Sequence, residues 1–158
     1  MAFELKSPAF ADGAEVPRRH TCDGANLSPA LSWTDPPAGT KSLALVCEDP
    51  DAPRGTWSHW VVWGVPAAAR KLSEGVPPER TRPDGMRQGT NDFGKVGYGG
   101  PCPPPDGQVH HYIFTVYALS VAHIPGTHIT FGKLIAEISP DVVGATSTIG
   151  KFRLPLGS

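Results

Sequence analysis

Ser42-Leu43-Ala44-Leu45-Val46-Cys47-Glu48-Asp49-Pro50-Asp51-Ala52-Pro53, followed after Arg54 by Gly55-Thr56-Trp57-Ser58-His59-Trp60-Val61-Val62-Trp63, is the stretch whose reading decides the fold. It holds two short apolar runs rich in β-branched and aromatic residues, each bounded by Pro, Gly or Asp, which is the signature of buried strands. The clearest strand signals in the chain are 42–48, 59–65 and 109–120. Leu31-Ser32-Trp33, Ile149-Gly150-Lys151-Phe152 and Phe3 to Ser7 are weaker ones. Only Phe131 to Ile138 reads as helix, with Leu134, Ile135 and Ile138 on one side and Pro140 as the stop. Strands without alternating helices predict a mostly β protein of two packed antiparallel sheets with one short helix near 131–138. Rossmann and P-loop chemistry are disfavoured by the same pattern.

The 158 residues suit one domain, 1–158, around one core. Glycine and proline number 18 each, nearly twice their average share, so much of the backbone is turn and loop. Lys plus Arg number 14 against 15 for Asp plus Glu, which leaves no broad field to hold nucleic acid or an anionic membrane. Any anion must be bound by local geometry. The start, Met1 to Pro8, lacks a basic region followed by an apolar run, and no apolar stretch approaches about 18 residues. The expectation is a cytoplasmic protein without stable membrane insertion. Cys22, Cys47 and Cys102 are too few for a disulfide framework and form no Cys-x-x-Cys pair, so no metal site is expected. Cys47 reads as an inert buried thiol. Cys22 and Cys102 both lie in turn-rich loops and could meet, although a reducing compartment argues against a stable bridge.

Four segments concentrate chemistry-bearing residues, and each also has a plain structural reading. Asp49 to Pro53 leaves a strand through a rigid turn. Gly55 to Trp60 leads into a strand in which alternation places His59, Val61 and Trp63 on one face. Gly97-Tyr98-Gly99-Gly100-Pro101-Cys102-Pro103-Pro104-Pro105 is either a stiff connector or a nest of backbone N–H groups able to bind an anion. His110-His111-Tyr112 begins the longest strand and sets His110, Tyr112 and Phe114 on one face, opposite His111, Ile113 and Thr115.

Taken together, and in this order, these segments resemble the phosphatidylethanolamine-binding protein family, which includes the Raf kinase inhibitor protein. The resemblance runs from about Phe3 to Phe152. The triplets and turns His20-Thr21-Cys22-Asp23-Gly24, Asn26-Leu27-Ser28-Pro29 and Gly89-Thr90-Asn91-Asp92-Phe93-Gly94 place it nearest the prokaryotic branch. It implies a large antiparallel sheet packed on a smaller one, with a shallow ligand pocket at one end. Position by position, it implies that Asp49, His59, His110 and Tyr112 line the pocket while Pro53, Trp57, Gly100 and Pro101 shape its wall, with Asp51 supporting the loop. His111 stands where the family commonly has Arg, and the tail after Phe152 is too short for the C-terminal helix of eukaryotic members. A homodimer is expected from the resemblance alone.

The expected function is binding of a small anion, phosphate, phosphoethanolamine or carboxylate, by a regulatory protein or inhibitor of a kinase or protease, without cofactor or metal. Asp49 beside an imidazole holds its tautomer and favours the cation. Anion affinity is then expected to rise as pH falls from about 8 to about 6, around an ordinary histidine pKa near 6.5. The rival is a thiol hydrolase with Cys102 as nucleophile and His110 or His59 as its base.

Overall fold

The computed structural model describes residues 2–126 and 129–157. Among the described residues, eight strands form two antiparallel sheets. The smaller contains β1 (Leu5–Lys6), β2 (Leu31–Trp33) and β5 (Lys71–Leu72), in the order β1-β2-β5. The larger contains β3 (Ser42–Asp49), β4 (Trp57–Pro66), β6 (Arg87–Gln88), β7 (His110–Leu119) and β8 (Val142–Phe152), in the order β6-β4-β3-β7-β8. The one α-helix among the described residues, α1 (Phe131–Ile138), coincides with the helix expected from sequence.

β3 is the centre of the larger sheet, flanked by β4 and β7, which explains why its sequence is an uninterrupted apolar run rather than an alternating one. One face of that sheet packs Leu43, Leu45, Cys47, Trp60, Val62, Tyr112, Phe114 and Val116 toward the small sheet's Leu5, Leu31, Trp33 and Leu72. The other face packs Ala44, Val46, Val61, Trp63 and Leu119 under Leu134 and Ile138 of α1. Cys47 is fully buried, and burial pushes its thiol pKa up, as befits an inert core residue.

β8 is much longer than the four residues expected at 149–152. Its first half, Val142 to Ser147, is half-buried or exposed throughout and carries no apolar alternation. Pairing with β7 along its whole length makes it a strand. Its glycines admit close neighbours: a Cβ on Gly144 would lie 2.7 Å from Pro37 Cγ, and one on Gly150 would lie 2.3 Å from Val16 Cγ2.

Candidate functional site

The site forms where β3 ends and β4 and β7 begin. Asp49 closes β3, opposite Trp57, the first residue of β4. Cys47 pairs with Trp60 and Glu48 with Ser58, so His59 is an extra residue in β4 with no partner across the ladder. Such a bulge re-aims a side chain. Val61 and Trp63 keep to the layer beneath α1, whereas His59 packs edge-on against Tyr112, which belongs to the other layer, with ring centroids 5.2 Å apart. Simple alternation, which put His59 on the face of Val61 and Trp63, fails at this bulge. For β7 it holds: Tyr112 and Phe114 are buried together while His111 is exposed.

A cavity of about 410 Å³ opens here, lined by Asp49, Pro53, Trp57, His59, His110 and Tyr112, and also by Ala52, Phe93 and Cys102 to Pro105. The Asp49 carboxylate is buried and accepts a 2.6 Å hydrogen bond from His110 Nδ1 on one oxygen and a 2.8 Å bond from the Asp51 amide on the other. His59 Nδ1 donates to the Gly99 carbonyl at 2.6 Å. A carbonyl only accepts, so this bond fixes the proton of a neutral His59 on Nδ1 and leaves Nε2 unprotonated. Burial lowers the His59 pKa, and this outweighs the raising effects of the Gly99 carbonyl and the Asp49 charge. The Tyr112 phenol moves the other way, pushed far up by burial first and by the Asp49 charge second, so it remains a donor. Tyr112 Oη and Trp57 Nε1 are both buried without a hydrogen-bond partner among the described residues.

Gly100 and Pro101 do not line the cavity. The nest reading of their loop fails because its amides are already engaged: Gly97 N–H donates to Gly89 O, Gly99 N–H to His59 O, and Gly100 N–H to Asn26 Oδ1. A Cβ on Gly100 would sit 2.1 Å from the His20 carbonyl oxygen, so glycine is needed there for close approach. Their part is to anchor the wall: Cys22 N–H donates to Pro101 O, and Cys22 and Cys102 are joined in a disulfide. That bridge overturns the thiol-hydrolase alternative, because a sulfur bonded to sulfur is no thiolate nucleophile. The wall facing the cavity is Cys102 to Pro105 instead.

Phe93 was legible only as part of a turn motif. It stands 40% exposed at the rim, edge-on to both Trp57 and His59 with centroids 5.4 and 5.3 Å apart. Its loop is clamped to β4 by reciprocal bonds, Asp92 N–H to Ser58 O and Ser58 N–H to Asp92 Oδ2. His111, in the position expected to hold Arg, donates its backbone N–H and its Nδ1 to one oxygen of Asp51, each at 2.8 Å. Asp51 is thereby committed to the loop. The little desolvation it suffers raises its pKa, but the bonds from His111 prevail and lower it. Among the described residues no three His, Cys, Asp or Glu side chains are placed to hold a metal ion. No described helix is long and apolar enough to cross a membrane.

Two antiparallel sheets with a His–Asp pair and a second histidine at one end of the larger sheet define a β-sandwich with an end-on pocket. The family model described as phosphatidylethanolamine-binding protein matches residues 6–153. The chain belongs to this family. It is similar to the UPF0098 protein of Methanothermobacter thermautotrophicus, with 44% identity over 96% of this chain and 99% of that one. It is also similar to the UPF0098 protein YbhB of Escherichia coli, with 48% identity over 77% of this chain and 81% of that one. Among solved structures, Escherichia coli YbcL superposes with a TM-score of 0.89 at 32% identity, covering 98% of this chain and 99% of that one. CT736 of Chlamydia trachomatis gives a TM-score of 0.85 at 34% identity, covering 96% and 97%.

Proposed function

We propose that the cavity binds the phosphate or carboxylate end of a small ligand and that the protein acts through binding rather than catalysis. The observation that carries this reading is the pair of buried donors without partners among the described residues, Tyr112 Oη and Trp57 Nε1, on two residues that line the same cavity as His59 and His110. A buried donor left unsatisfied costs about 1–3 kcal/mol, and an anion supplies the missing acceptor. Each histidine has its Nδ1 engaged, which leaves Nε2 as the atom able to take up a proton and then donate to an anion. Because burial keeps His59 neutral near pH 7, anion binding draws a proton onto Nε2, and this linkage replaces the need for a fixed cation.

Both oxygens of Asp49 are already engaged, so the phosphate of a phosphoethanolamine-type ligand, not its ammonium, is the part the pocket is built to hold. Phe93 and the prolines at the rim give the remainder of the ligand an apolar surface. Regulation or inhibition of a kinase or protease by the face around the pocket, and assembly as a homodimer, are carried by family likeness. Calorimetric titration of phosphoethanolamine and inorganic phosphate tests the ligand reading. Saturable one-site heat that weakens in Tyr112→Phe supports it, and equal affinity in wild type and variant overturns it.

A further inference from the structure

A second cavity, about 370 Å³, lies at the other end of the larger sheet, where β3 begins and β4 ends. With β3 eight residues long, the two cavities are separated by about 25 Å at the usual strand rise. Three segments far apart in sequence bring basic side chains to it: Lys41 before β3, Arg87 on β6 and His123 after β7. None of the three has a side-chain hydrogen bond or ion pair among the described residues. Asp84 is the one carboxylate in the lining, and its Oδ1 is engaged by the Met86 amide at 2.9 Å.

Trp63, 1% exposed, also lines this cavity, and its indole N–H is buried without an acceptor among the described residues. Trp63 and Arg87 are directly opposed across β4 and β6, so the indole and the guanidinium share a face of the sheet. The backbones here are held close: a Cβ on Gly64 would come within 3.0 Å of the Gly85 carbonyl oxygen, and Gly64 has φ +69°. The combination is a cavity lined by two fixed cations, an imidazole and a tryptophan whose buried N–H has no acceptor among the described residues, in a chain whose overall charge is −1. Against the single carboxylate of Asp84, these groups leave an excess of positive charge and of donors that an anion would balance.

We propose that this cavity is a second ligand site, taking a compact polyanion of the phosphate or polycarboxylate type independently of the His–Asp pocket. Guanidinium and ammonium groups bind such oxygens through charge-assisted hydrogen bonds, the strong class. Each cavity is lined by its own tryptophan, Trp57 in one and Trp63 in the other, and this separates them experimentally.

The test is a titration of the ¹⁵N-labelled protein with inorganic phosphate and, separately, with citrate, following the indole N–H resonances. The expected result is a saturable shift of Trp63 that weakens at least roughly tenfold in Lys41→Gln/Arg87→Gln, while any Trp57 response is unchanged. A response to phosphate alone or citrate alone supports the site and assigns its chemistry. No saturable Trp63 shift up to about 20 mM of either anion, or a shift that survives in the double variant, overturns it.

Discussion

Tyr112→Phe tests the account at a group where binding and stability pull in opposite directions. The phenol is buried, its oxygen has no hydrogen-bond partner among the described residues, and burial holds its pKa far above the ordinary value. Leaving such a hydroxyl unsatisfied costs about 1–3 kcal/mol, and Phe fills nearly the same volume without it. The ligand-free variant is therefore expected to be about 1–2 kcal/mol more stable than wild type. For a chain of this size that corresponds to a melting temperature higher by roughly 2–6 °C. Once an anion is bound, the same hydroxyl donates a charge-assisted bond worth about 1.5–3 kcal/mol, so affinity for phosphate falls roughly 10- to 100-fold in the variant. Urea unfolding without ligand and calorimetric titration give the two quantities separately. A variant that is less stable than wild type and binds phosphate equally well would show that the hydroxyl supports the fold and has no part in recognition.

Three further predictions come from neighbouring features. With the His59 pKa lowered by burial, affinity for sulfate, whose charge is constant in this range, is expected to rise only as pH falls below about 6.5. Binding favours the protonated ring, so proton uptake accompanies it; calorimetry in buffers of different ionisation heat should detect that uptake at pH 6, and its absence counts against His59. Removing the bridge in Cys22→Ser/Cys102→Ser should cost about 2–5 kcal/mol in urea unfolding, because the bridge closes a loop of sequence separation 80. A loss below about 1 kcal/mol would refute its structural weight. Gly100→Ala should destabilise by about 3 kcal/mol through collision with the His20 carbonyl, and a variant of wild-type stability would contradict the close approach.

The parts of the fold legible in sequence are those where burial leaves an apolar signature. β3, β4 and β7 are the core strands of the larger sheet, and their runs of Val, Leu, Trp and Phe made them visible. The first half of β8 escaped because Gly144 to Thr148 are small or polar, chosen to pack under Pro37 and to pair with β7 rather than to fill a core. The strand-end residues that line the cavity were named from family likeness, and alternation correctly placed His110 with Tyr112. It misplaced His59 because a bulge is a property of two strands in register, which one strand's sequence does not contain. The glycine-rich loop stayed open between connector and nest for a similar reason: whether its amides are free depends on His59, Gly89 and Asn26, all distant in sequence. Loop composition alone fixes no distance between loops, so the sequence does not decide the Cys22–Cys102 bridge.

The central claim, that the pocket lined by His59, His110 and Tyr112 holds a small anion through donors that lack partners in the free protein, is tested most directly by one calorimetric comparison. Phosphoethanolamine and inorganic phosphate are titrated into wild type and His59→Ala at pH 6 and pH 8. The account predicts saturable binding to wild type that is tighter at pH 6 than at pH 8 and is lost or strongly weakened in the variant. Absence of binding to wild type at both pH values, or equal affinity in the two proteins, would contradict it.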